Sequence, residues 1–149
     1  MKVVIDTNLI ISGFINKNGT PSQLIQTWKE EKFEWLMSNS LFFELQEVFL
    51  RPYIKDKYNI SLEEITLFLE YLENACTIIE INNSISKISF PFSNDIKDDK
   101  VLHCTIEGKA NYLITGDKKD LLSLKDHPAL AKLQIVTARE FLNRFAEKT

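Results

Sequence analysis

The chain has 149 residues, 44% hydrophobic and 26% charged, with only 4 Gly and 4 Pro. This excludes a disordered or low-complexity polypeptide and fits one globular domain over residues 1–149. The net charge of -3 lacks the basic excess of many nucleic-acid binders, and Cys76 and Cys104 are too few for a disulfide scaffold and read as buried reduced thiols.

Lys2-Val3-Val4-Ile5, closed by Asp6, is almost wholly apolar, which predicts a central buried strand of a parallel sheet. The apolar run from Val3 to Ile15 is broken by Asp6, Asn8 and Ser12 and is too short to span a bilayer. No targeting segment or membrane partner is therefore expected, and a cytoplasmic location is the default. Asn16-Lys17-Asn18-Gly19 reads as a turn. Thr20-Pro21-Ser22-Gln23 reads as a helix start with Thr20 as N-cap, and Leu24, Ile25 and Trp28 share one face of that helix. Phe33 to Met37 forms a second strand. Ser38-Asn39-Ser40 caps a helix from about Leu41 to Leu50, which Arg51-Pro52 stops or bends.

Ser61-Leu62-Glu63-Glu64 is a capping box, and Ile65, Phe68, Leu69 and Leu72 line one face of its helix. Thr77 to Ile81 reads as a third strand. Between Asn82 and Asp95 the alternation is loose, and Pro91 argues against an interior strand. A helix begins after Lys97, with Val101, Leu102, Thr105 and Ile106 on its apolar side and Gly108 suited to its C-terminus. Tyr112 to Thr115 is a fourth strand leading to Gly116-Asp117, Lys118 to Leu124 a short helix, and Gln134-Ile135-Val136 a last strand. Thr137-Ala138-Arg139-Glu140 caps a final helix with Phe141, Leu142 and Phe145 inward. Short strands interleaved with helices predict an α/β protein: a three-layer α/β/α sandwich with a central, mostly parallel sheet of about five strands. Ligands of such sheets collect beyond the carboxyl ends of the strands.

Several acids fall at that address. Asp6 ends the first strand, Asp117 follows the fourth, and Asp98 and Asp99 open the helix before it. Glu44 lies in Leu41-Phe42-Phe43-Glu44-Leu45 and can reach the same edge from its helix; a carboxylate in so apolar a run needs a partner. Gathered carboxylates repel, and a hard divalent cation with oxygen ligands relieves the repulsion. No Cys/His set has zinc spacing, and His103 and His127 suit structural or solvent roles. Such a site suits phosphodiester hydrolysis, in which metal-activated water replaces a protein nucleophile. Each acid also has a plainer reading. Asp6 could turn the chain, Glu44 could face solvent, and Asp117 could cap the following helix. Asp98 and Asp120 suit first-turn or surface acids better than ligands, and Lys118 and Lys119 suit a solvated surface.

Val4-Ile5-Asp6-Thr7-Asn8 resembles the opening strand of PIN domains. The stretch from Ser38 to Glu44 is similar to their second motif, Asp95-Ile96-Lys97-Asp98-Asp99 to their third, and Tyr112-Leu113-Ile114-Thr115-Gly116-Asp117 to their fourth. The ending from Ile135 to Leu142 resembles the bacterial VapC-like subfamily, the toxin components of toxin–antitoxin systems. The resemblance implies a PIN fold, dependence on Mg2+ or Mn2+, and endoribonuclease activity on RNA, single strands fitting a concave site best. It assigns Asp6, Glu44, Asp99 and Asp117 as catalytic and metal-binding, with Thr7, Asn8, Ser38 and Thr115 supporting them by hydrogen bonds. Asp99 is preferred to Asp98 because the family's third acid starts the helix directly. Lys118-Lys119-Asp120-Leu121 is one residue longer than in many relatives, which separates Asp120 from the pattern. The subfamily resemblance further implies an antitoxin protein that blocks the cleft, and a homodimer. Phe42, Phe43 and Phe49 are candidate interface residues.

Two other readings stand beside this one. A catalytically inactive PIN-like module would bind RNA or protein without gathering metal. A phospho-acceptor receiver domain would need an acidic pair after the first strand and a lysine after the fifth, where this chain has Thr7-Asn8 and Thr137-Ala138-Arg139.

Overall fold

A computed structural model describes residues 1–80, 96–116 and 132–148, with the backbone alone described at 96–99 and 146–148. Five parallel strands form one sheet in the order β3-β2-β1-β4-β5: β1 Lys2–Ile5, β2 Glu34–Ser38, β3 Thr77–Ile79, β4 Tyr112–Ile114 and β5 Gln134–Val136. The described helices are α1 Thr7–Ile15, α2 Thr20–Lys29, α3 Asn39–Phe49, α4 Pro52–Tyr58, α5 Leu62–Ala75, α6 Ile96–Glu107 and α7 Ala138–Lys148. The segment from Asn82 to Asp95 and the helix expected at Lys118 to Leu124 lie outside the described residues.

Side-chain alternation assigns the two faces. Val3, Trp35 and Tyr112 share a register row. Trp28 of α2 meets Trp35 edge-on at 4.8 Å, and Phe141 of α7 meets Tyr112 at 5.1 Å, so α2 and α7 cover that face. The opposite face carries Val4, Leu36 and Leu113. Here α6 packs so tightly that a Cβ on Gly108 would stand 2.7 Å from Leu36 Cδ1. That closeness, rather than a left-handed cap, explains the glycine: the positive-φ residue at this helix end is Lys109. Val3, Val4, Leu36, Leu113 and Ile114 are all at most 2% exposed, the expected result of covering both faces. This is the three-layer α/β/α arrangement with an all-parallel sheet.

Local chemistry sets the helix ends. Ser38 Oγ accepts from Leu41 N at 3.0 Å and Ser61 Oγ from Glu64 N at 3.1 Å. Thr137 and Glu140 cap reciprocally, at 3.1 and 3.4 Å. Three helices depart from the sequence reading. Helix α1 was not anticipated, and Asp6 is its N-cap. Helix α4 begins at Pro52, so this proline opens a helix after the break at Leu50 and Arg51. Thr20 is the first residue of α2 and not its cap; Gly19 is, without a side-chain bond. Phe42 and Phe49 are 8% and 0% exposed and belong to the core, which removes them as interface residues, whereas Phe43 is 61% exposed. Both cysteines are buried and unpaired with each other. Among the described residues no helix is long and apolar enough to cross a membrane.

Candidate active site

Continued past the strand ends, the alternation places Asp6, Ser38 and Thr115 on the α6 side at the carboxyl edge of the sheet. The ladder itself extends that far: Asp6 N donates to Ile114 O at 2.9 Å and Thr115 N to Val136 O at 3.0 Å. Asp6 uses its two carboxylate oxygens differently. Oδ1 accepts from Asn8 N at 3.4 Å as the cap of α1, and Oδ2 accepts from Thr115 Oγ1 at 3.1 Å. The turn-forming role that Asx residues favour is therefore present, together with a second bond that fixes the carboxylate across 109 residues of sequence. Thr7, Ser38 and Thr115 are buried, at 5%, 0% and 0%. Asn8 is exposed, and its backbone N–H is the group that supports Asp6.

Glu44 is not a surface residue. Its side chain is 14% exposed, and Oε2 is buried with no hydrogen-bond partner among the described residues. The cation facing it is Lys100 Nζ, 3.8 Å away, on the first half of α6. Reading the sequence for acids alone passed over this lysine; its place directly after Asp98-Asp99 was the available signal. The pair brings α3 against the helix turn that carries Asp98 and Asp99. The side chains of those two aspartates lie outside the described residues, as do Asp117 and Asp120. Thr115, just past β4, is itself tied to the site by its hydrogen bond to Asp6.

One turn further along α6, Cys104 packs beneath Ser38. Burial pushes its thiol up to about 12, and hydrogen bonding with Ser38 pulls weakly the other way. This thiol is accordingly neutral packing rather than a nucleophile. Among the described residues no group of three metal-ligating side chains occurs; Asp6 and Glu44 are the two candidate acids whose positions are described. Both are hard oxygen donors, and an unbonded buried carboxylate oxygen is a group that still needs a cation or donor.

Residues 2–119 match the family model described as PIN domain. The chain is also similar to an uncharacterized protein of Methanocaldococcus jannaschii, MJ1680: 35% identical over 150 residues, covering 97% of this chain and 92% of that relative. The matched span begins with the strand that leads into Asp6 and ends just past Asp117, and the α/β/α fold agrees with it: the chain belongs to the PIN domain family, whose members are generally nucleases.

Proposed function

We propose that this protein is a divalent-metal-dependent endoribonuclease that hydrolyses phosphodiester bonds of single-stranded RNA. The observation that carries the reading is Glu44: one carboxylate oxygen is buried beside α6 with no hydrogen bond from the described residues, in a chain whose strand-end acid, Asp6, is held in place by Thr115. Such an arrangement is costly unless a cation compensates it, and Lys100 Nζ, 3.8 Å away and 43% exposed, is a long and water-screened partner that leaves room for a metal ion.

The all-oxygen donor set fits a hard ion, magnesium or manganese, and Asp6, Glu44, Asp99 and Asp117 would hold it. When bound, that ion supplies a more acidic water and charge neutralisation at the phosphate. The protein's own groups do the rest. Thr115 donates to Asp6 Oδ2 and keeps that carboxylate aimed. Glu44 Oε2 joins the ligand set or accepts a hydrogen bond from the attacking water and orients it. Water adds to phosphorus, one P–O ester bond breaks, and the departing oxygen leaves as a hydroxyl after taking a proton. Ser38 and Thr7 are buried at the same edge, and Ser38 Oγ caps α3, the helix that carries Glu44.

Within this reading the chain acts as the toxin of a toxin–antitoxin pair, and a small antitoxin protein or a second copy covers exposed Phe43 on the helix that carries Glu44. Support for the toxin role is the resemblance of the C-terminal segment; support for a cover is one large exposed ring on a helix of the site. Calorimetric titration with Mn2+, run beside cleavage of a labelled single-stranded RNA, tests the proposal. Binding together with cleavage that EDTA abolishes is the expected result. An absence of bound ion would favour the non-cleaving module instead.

A further inference from the structure

A cavity of about 420 Å³ lies where α1, α4 and α5 meet, away from the strand-end acids. We infer that it is a subsite for one base of the RNA strand being cut, a reading that rests on the ribonuclease proposal. The size suits a small planar group. One wall is Phe14, fixed against Phe49 at 5.2 Å and Phe68 at 4.7 Å. Another is Tyr58, 39% exposed, and Leu67, 59% exposed, stands with it. Aromatic and apolar walls open to solvent are what an unstacked base seeks, and every base offers a π face.

The charges around the cavity suit the rest of a nucleotide. Lys17 lines it, and Lys57 lies 5.4 Å from the Tyr58 ring while donating to Tyr53 Oη at 2.7 Å, so a second cation is held beside the same wall. These lysines fit backbone phosphates. Glu64 also lines the cavity. A carboxylate repels phosphate but accepts from an exocyclic amino group, so it favours adenine or cytosine over uracil. Distance agrees with a shared strand. Helix α1 starts at its cap Asp6 and has nine residues, about 13 Å at the usual rise, so Phe14 lies a few nucleotides from the acid edge.

The test is fluorescence anisotropy of the full chain with labelled oligoadenylate, oligocytidylate and oligouridylate in EDTA, where binding is read without cleavage. Tyr58→Ala and Lys17→Glu should each weaken oligoadenylate binding about tenfold. Glu64→Ala should erase the preference over oligouridylate. Lys17 is exposed, so its variant keeps the fold and the result stays readable if Tyr58→Ala unfolds. Affinity within about twofold of wild type in Lys17→Glu, or weakening that Lys17→Glu shows and folded Tyr58→Ala does not, overturns the subsite. Metal-dependent cleavage, scored separately on the same protein, judges the nuclease reading by itself.

Discussion

Lys100 Nζ stands 3.8 Å from Glu44 Oε2, an oxygen that is buried and has no hydrogen-bond partner among the described residues. The lysine is 43% exposed, so water screens it, while the glutamate at 14% cannot draw on water to the same extent. Lys100→Met should lower stability in EDTA by about 1 kcal/mol, or about 3 °C in Tm. Without the competing ammonium, Mn2+ should bind more tightly and raise Tm more than in wild type. Thermal melts with and without Mn2+ check both. An unchanged Tm in EDTA would mean that water rather than Lys100 compensates Glu44.

Asp6 combines a structural and a proposed catalytic role, and two substitutions separate them. Asn caps helices about as well as Asp and keeps an acceptor for Thr115. Asp6→Asn should therefore leave the melting curve within about 0.5 kcal/mol of wild type while cleavage falls about 100-fold or more, because the charge is gone. Asp6→Ala should also lose about 1 kcal/mol of stability. Thr115→Val, which keeps the shape of a fully buried residue and deletes the hydroxyl on Asp6, should cost about tenfold in cleavage. Full cleavage by Asp6→Asn would remove the assignment.

Strands were the most legible part of this chain. A buried parallel strand is a continuous apolar run, and β1, β2, β4 and β5 sit within a residue of where the sequence places them. Helix α1 was hidden because Thr-Asn-Leu-Ile-Ile-Ser-Gly-Phe-Ile is rich in β-branched residues and contains Gly13, all weak helix formers; its cap and its packing on α2 override propensity. At α4 a proline that often ends helices supplies the first turn instead. In the site, the closeness of Asp6 and Thr115 follows from adjacent strand ends, and the burial of Glu44 from the acid's apolar neighbours. The partner of Glu44 did not follow: Lys100 stands directly after Asp98-Asp99, but only the fold brings residue 100 against residue 44.

Gly13 shows how tightly α1 must lie on α2. A Cβ there would stand 2.7 Å from Ile25 Cδ1 and 2.9 Å from the Pro21 carbonyl oxygen. The side chain can rotate away, but the backbone oxygen cannot. Gly13→Ala should destabilise by about 1–3 kcal/mol despite the better helix propensity of alanine. Urea unfolding measures the difference. A stabilised variant would mean that α1 can lift from α2 without loss.

The two buried thiols make stability depend on pH on the alkaline side. Burial pushes Cys76 upward and Cys104 to about 12, from an ordinary value of 9.0. The folded chain therefore keeps protons that the unfolded chain gives up first, and unfolding releases protons once the pH passes 9. The thiols' contribution is complete below that point and fades as pH climbs toward 12, by about 1.4 kcal/mol per pH unit and thiol. Tyrosines and lysines titrate in the same range, so the measurement is a difference: urea midpoints at pH 8 and pH 10.5 for wild type and Cys104→Ala. The alanine variant starts lower because of its cavity but should lose less stability between the two pH values. Parallel declines would mean that the Cys104 thiol ionises in the folded protein as readily as in the unfolded chain, contrary to its packing beneath Ser38.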